Sequence, residues 1–175
     1  MGGDYRATGT KAAAPEGPTS PQGEPPVNQH QICDVMTRDV RTVSPDDSVE
    51  HAAQCMDQLN VGAVPVVDGD KLVGMVTDRD ITVRAVAAGK PADRTPVSEV
   101  MSTNVRWCYE DQDVDDVLDE MRDTQIRRVP VLSRDELRLI GIVSLGDLAE
   151  RGGSNEPRVA ETLRDISTPS QPDRH

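Results

Sequence analysis

The chain contains no phenylalanine, and one tryptophan with two tyrosines brings its aromatics to only 2% of 175 residues. Any core must therefore be assembled from Val, Ile, Leu, Met and Ala, and the composition argues against recognition by stacking of bases on rings. Positive charge is scarce too: 19 Lys and Arg stand against 31 Asp and Glu, a net charge of -12. That balance repels phosphate backbones and anionic lipid surfaces at long range, which argues against nucleic-acid and membrane partners. No run approaches the roughly 20 apolar residues of a membrane span, and the N-terminus lacks the apolar stretch of a signal peptide, so the expected location is cytoplasmic. Cys33, Cys55 and Cys108 are odd in number with no CxxC spacing, which fits a reducing compartment better than a disulfide framework. Also missing are a Gly-Lys phosphate loop and any nucleophile, base and orienting group spaced as a set, so the chain does not read as an enzyme.

What is present is organised around residues 32–150. Residues 1–31 hold ten Gly or Pro residues and almost no large apolar side chain, a composition that cannot offset the entropy of ordering, and they are expected to form a disordered arm. A polar tail over 153–175 carries Val159, Leu163 and Ile166 at helical spacing after Pro157, which predicts a short helix over 157–166. Between these ends lies an internal repeat. A shift of 65 residues aligns Val35-Met36 with Val100-Met101, Val49 with Val114, Met56 with Met121, and Val64-Pro65 with Val129-Pro130. Two inserted residues then make the shift 67, which aligns Gly74 with Gly141, Thr77 with Ser144 and Asp80 with Asp147.

Each copy reads as strand, helix, strand, strand, helix. An extended piece, Val40 to Ser44 or Val105 to Tyr109, precedes a helix with apolar residues at i, i+3, i+4 and i+7: Val49, Ala52, Ala53 and Met56, then Val114, Val117, Leu118 and Met121. Asp47 with Glu50 is the expected capping pair at the first helix start. Ala63 to Val67 and Leu72 to Thr77, separated by Asp68-Gly69-Asp70, predict a hairpin, and Val129 to Leu132 with Leu139 to Ser144 predict its counterpart. Another helix is expected to begin near Asp80 and near Asp147. One copy of about 60 residues has a marginal core, so the two should pack as one globule. Pro65 and Pro130 each remove a ladder donor and belong at an edge or bulge. The eight carboxylates between Glu110 and Asp123 read as a solvated helix face.

The segments Gly74-Met75-Val76-Thr77-Asp78-Arg79-Asp80 and Gly141-Ile142-Val143-Ser144-Leu145-Gly146-Asp147, each preceded by a Val-Pro, resemble the tandem CBS-domain family, the Bateman module, of the stand-alone bacterial type. The resemblance implies an α/β (α+β) fold: a pseudo-two-fold pair of repeats, each β-α-β-β-α, packed sheet to sheet, with repeat 1 over 32–92 and repeat 2 over 93–152. It implies two clefts that commonly take AMP, ADP, ATP or another adenosine derivative, and assembly into a homodimer. It also implies that Arg127 and Arg128, just before the second Val-Pro, face phosphate, where the first copy has Gly62-Ala63.

The residues have their own reading beside this. Thr77 at a strand end, leading into a helix near Asp80, places a hydroxyl and free backbone N–H groups where phosphate could sit, and Asp80 suits the two hydroxyls of a ribose; Ser144 and Asp147 repeat the pattern. Thr42-Val43 with Val64-Pro65, and Trp107-Cys108 with Val129-Pro130, could supply an apolar slot for adenine. A net-negative protein must find local positive charge for a nucleotide, and Arg79 and Arg84 are weaker candidates beside Arg127 and Arg128. The same Ser/Thr-x-x-Asp pattern also caps a helix with no ligand at all. Three readings follow: an adenosine-nucleotide sensor that signals to an unknown protein partner and needs no catalytic cofactor, a constitutive dimeric scaffold with vestigial clefts, or a metal or redox sensor using Cys33, Cys55, Cys108 and His51. No metal site is expected, because His51 and Cys55 at i and i+4 offer only two ligands.

Overall fold

The computed structural model describes residues 30–151 and 156–167. The arm expected over 1–31 lies outside these residues up to position 29, as does the chain beyond 167. In chain order the elements are α1 (Ile32–Val35), α2 (Val49–Leu59), β1 (Ala63–Asp68), β2 (Lys71–Thr77), α3 (Asp78–Asp80), β3 (Cys108–Tyr109), α4 (Val114–Thr124), β4 (Arg128–Leu132), β5 (Leu139–Ser144), α5 (Leu145–Arg151) and α6 (Glu156–Ser167). A π-helix, Ile81–Val86, continues α3, and a 3-10 turn covers Val97–Glu99. This is the mixed α+β architecture that the repeat predicts.

The helices α2 and α4 form because apolar residues recur on one face and polar residues hold the ends. In α4 the expected Val114, Val117, Leu118 and Met121 are all buried, and the Asp113 carboxylate accepts from the N–H of Asp115 at 2.8 Å. In α2 the buried face is Val49, Ala52, Cys55 and Met56. Ala53, expected on that face, is exposed, because the stripe follows i+6 to Cys55. The cap also differs from expectation: Ser48 Oγ accepts from His51 N at 3.1 Å, while Asp47 accepts from Ser44 N at 2.7 Å and so organises the preceding turn. Both helices end on a left-handed residue, Asn60 and Gln125.

The two hairpins are antiparallel, β1 with β2 and β4 with β5. Gly69, at φ 59°, supplies the left-handed turn residue that the Asp-Gly-Asp signal requires. One residue past each proline the register shifts, between Val66 and Val67 and between Val131 and Leu132. The extended pieces contribute little regular strand. Val43 makes an isolated parallel bridge to Val66, whereas Cys108 and Tyr109 pair in parallel with Val131 and Leu132.

The repeats exchange their leading segments. Ile32, Val35 and Met36 are buried with Val114, Leu118, Val131, Val143 and Leu148 of the second copy, while Val97 and Val100 are buried with Val49, Met56, Val64 and Val76 of the first. Backbone pairing follows the packing, with Thr37 bridging Ile142 of β5 and Ser102 bridging Met75 of β2. The crossings are close, because a Cβ on Gly141 or Gly74 would stand 2.5 Å and 2.7 Å from the sulfurs of Met36 and Met101. Each leader therefore ties its own repeat to the other one. Helix α6 packs against α4 and α5. Its expected apolar Leu163 is exposed and Thr162 is buried instead.

Candidate functional site

The strand-to-helix turns have the same construction in both copies. Thr77 N and Oγ1 donate to Asp80 Oδ2 at 3.0 and 2.8 Å, and Asp80 N returns a hydrogen bond to Thr77 Oγ1 at 3.0 Å. Ser144 and Asp147 repeat this at 2.9, 2.6 and 3.2 Å. The sequence reading expected free backbone N–H groups here as a phosphate seat, and the structure corrects this. Asp78 N donates to Gly62 O, Arg79 N to the Asp78 carboxylate and Asp80 N to Thr77, so the first three donors of the helix are already used. In the second copy Leu145 N donates to Arg127 O. The turn itself does not use Oδ1 of either aspartate; that oxygen faces Arg84 Nη1 at 3.4 Å in the first copy and accepts from Thr37 Oγ1 at 3.4 Å in the second.

Beside Thr77 opens a cavity of about 640 Å³, lined from the first repeat by Gly62, Ala63, Met75, Thr77, Asp78 and Arg79. Its other wall is Ser102, Asn104, Val105 and Arg106 of the second leader, with Gln125, Ile126, Arg127, Arg128 and Pro130 beyond. The volume falls in the range of small-molecule sites. Four guanidinium-bearing residues, Arg79, Arg106, Arg127 and Arg128, line one cleft in a strongly acidic chain. None of the four has a carboxylate partner among the described residues, whereas Arg84, Arg122, Arg134, Arg138 and Arg151 are all paired. Arg127 and Arg128 occupy the two positions before the second Val-Pro that Gly62 and Ala63 occupy before the first, and both pairs line the cleft.

Of the residues singled out from the sequence, Thr77, Arg79, Arg127, Arg128 and Pro130 are brought together on this cavity, with Asp80 bonded to Thr77 behind it, whereas Arg84 is paired with Asp80. Thr42 lies elsewhere, on a crevice of about 370 Å³ with Asp39, Asp70, Arg138 and Ile140. Val43, Val64, Val129 and Cys108 are buried in the two cores, so their side chains pack rather than face a ligand. Pro65 is buried on β1. Trp107 is 40% exposed and meets Tyr109 edge-on at 4.9 Å, and Arg134 stacks on the Tyr109 ring at 4.1 Å while paired with Asp111. Ser144 and Asp147 form the counterpart turn. The sequence reading missed Ser102, Asn104 and Arg106; the basic residue next to Trp107 was the available signal.

The cysteines do not assemble. Burial, with the Glu120 charge adding to it, pushes the Cys108 thiol up to about 12, and burial followed by the Asp34 charge raises that of Cys33. Cys55 Sγ lies 3.7 Å from His51 Nε2. Among the described residues no three metal-capable side chains group together, and no helix is long and apolar enough to cross a membrane.

Two small repeats, each a helix followed by a hairpin and a second helix, that exchange leaders and carry matching Ser/Thr-x-x-Asp turns, the first of them beside a cleft between the repeats, define a paired-repeat architecture. The CBS domain family model matches residues 32–86 and 97–153, and the chain belongs to that family. It is 48% identical over 125 residues to the CBS domain-containing protein YhcV of Bacillus subtilis, covering 71% of this chain and 87% of that one. It is 36% identical over 117 residues to hypoxic response protein 1 of Mycobacterium tuberculosis, covering 66% and 80%. A crystal structure of hypoxic response protein I with two coordinated zinc ions matches at TM-score 0.64 and 34% identity, over 69% of this chain and 98% of that one. The CBS domain pair of protein MJ0100, in complex with 5′-methylthioadenosine and S-adenosyl-L-methionine, matches at TM-score 0.63 and 32% identity, over 71% and 97%.

Proposed function

We propose that this protein is a non-catalytic, cytoplasmic, homodimeric sensor that binds an adenosine nucleotide of the AMP, ADP or ATP type in its inter-repeat cleft and signals to a partner protein. The observation that carries the reading is the set of four arginines without carboxylate partners, Arg79, Arg106, Arg127 and Arg128, on one cavity beside Thr77. Guanidinium forks suit phosphate oxygens, and unpaired guanidiniums in a chain of net charge -12 have a ready use in holding an anion. Four such groups match ATP or ADP better than AMP. The adenosine part draws support from MJ0100, a related domain pair solved with two adenosine derivatives. Assembly into a dimer would cover Val83 and Val86, which stand exposed at 53% and 65% on the π-helix.

Thermal melting against AMP, ADP, ATP, NAD and S-adenosylmethionine tests this. A ligand at a hundredfold over its dissociation constant adds about 2.7 kcal/mol of stability. The expected order is ATP and ADP ahead of AMP. Unchanged melting across the panel refutes the sensor and favours a constitutive scaffold, a reading that the already complete caps of Thr77-Asp80 and Ser144-Asp147 support.

A further inference from the structure

In each repeat the turn aspartate commits one carboxylate oxygen to the turn and directs the other to the leader of the opposite repeat. Asp80 Oδ2 holds Thr77, whereas Asp80 Oδ1 lies 3.4 Å from Arg84 Nη1. That same nitrogen donates to Val100 O at 2.6 Å and Met101 O at 3.0 Å, and reaches Ser102 Oγ at 3.2 Å. The second copy is built alike: Asp147 Oδ1 accepts from Thr37 Oγ1 at 3.4 Å and lies 3.7 Å from Arg151 Nη1, which donates to Val35 O at 3.2 Å. A chain of contacts thus runs from the aspartate through an arginine to the end of the swapped leader. Of the four oxygens around that Arg84 nitrogen, Asp80 Oδ1 alone belongs to a charged group, and its pull helps to hold the guanidinium beside the leader. Asp80 is the less exposed member of its pair, at 15% against 46% for Arg84.

We propose that Arg84, with Arg151 as its counterpart, is a positioning residue that couples occupancy of the cleft to the swapped leader: ribose hydroxyls that reach past Thr77 to Asp80 Oδ1 compete with Arg84 and loosen its hold on residues 100–102. The inference rests on the nucleotide reading above and supplies its output step. Val100 N and Met101 N donate to Val97 O, and Ser102 N donates to Met75 O, so loosening registers as faster amide exchange at these three positions. An exposed ion pair of this kind competes weakly, and its removal improves ligand affinity about two- to fivefold.

Hydrogen exchange on the full chain tests the proposal in two arms. Without nucleotide, Arg84→Met and Asp80→Asn each accelerate exchange at residues 100–102, and the double variant adds nothing beyond the larger single effect. With ATP, the wild type accelerates at the same amides, Arg84→Met binds about two- to fivefold tighter without further acceleration, and Arg84→Lys restores part of the response. Dideoxy-ATP, which lacks both ribose hydroxyls, binds without accelerating exchange. Additive effects in the first arm overturn the link itself, whatever nucleotide does. Slower or unchanged exchange at 100–102 in ATP-bound wild type, weaker binding by Arg84→Met, or a full response to dideoxy-ATP overturns the coupling. If the wild type binds no ATP while the first arm behaves as expected, the nucleotide reading fails and ligand-triggered release fails with it, leaving a purely structural contact.

Discussion

Replacing Gly141 by alanine should cost this protein more stability than the same change at Gly74, although the two glycines occupy equivalent positions. Neither has a positive φ, so an added methyl meets a packing problem and no backbone one. On Gly141 a Cβ would stand 2.5 Å from Met36 Sδ and 3.2 Å from Thr37 O. Ordinary contact distances are about 3.5–4.0 Å, so the sulfur must retreat by about 1 Å. Met36 has nowhere to go, since it is buried among Ile32, Val35 and Leu145. On Gly74 the Cβ would stand 2.7 Å from Met101 Sδ and 3.1 Å from Ser102 O, but Met101 is only partly buried and can swing outward. Overpacking costs typically about 1–3 kcal/mol, which places Gly141→Ala at about 2–3 and Gly74→Ala at about 1–2.

Urea unfolding reads this directly, with the midpoint falling and the slope unchanged. In a thermal scan Gly141→Ala should lower Tm by about 4–12 °C for a chain of this size. Trimming Met36 to alanine in the Gly141→Ala background should cost less than trimming it in the wild type, because the two changes share one volume. A Gly141→Ala variant within about 0.5 kcal/mol of wild type, or a Gly74→Ala variant that is the more damaged of the two, refutes the account of how the leaders pack.

Cys108 should make stability fall at alkaline pH. Its thiol keeps its proton in the fold up to about 12, whereas the unfolded chain loses it above 9.0, so the contribution is intact below 9.0 and is lost as pH rises from there. The folding constant should drop about tenfold per pH unit across that window relative to Cys108→Ala, and parallel pH profiles of the two proteins would contradict the burial argument. Arg127→Ala and Arg128→Ala should each weaken ATP binding about tenfold, the lower end for a charge-assisted hydrogen bond at an exposed site, and flatten its dependence on salt. Arg122→Ala, which breaks a pair with Asp119 instead, serves as the comparison; equal losses at all three positions in calorimetric titrations would count against the cleft.

Most of what has a short reach along the chain was legible in the sequence. Apolar spacing identified α2 and α4, Asp68-Gly69-Asp70 announced the β1–β2 turn, and the doubled Ser/Thr-x-x-Asp pattern marked two equivalent strand-to-helix junctions, because periodicity and turn chemistry are properties of neighbouring residues. Local reading was least secure where two residues compete for one role. Ser48 took the cap expected of Asp47, and Cys55 took the core position expected of Ala53, since the cap geometry and the exact helix phase depend on what packs alongside.

Only the tertiary structure decided which residues from distant segments meet. The repeat register placed Thr42 and Trp107 as equivalents, yet one lines a small crevice and the other meets Tyr109 edge-on. It gave no hint that Ile32, Val35 and Met36 would be buried in the second core and Val97 and Val100 in the first. A small repeat cannot exclude water from its own apolar face, so it borrows a segment from its neighbour, and that choice is set by the global packing of both copies. The same exchange brings Arg106 to the cleft and the carbonyls of residues 100–101 to Arg84, contacts for which no spacing in the sequence is a guide.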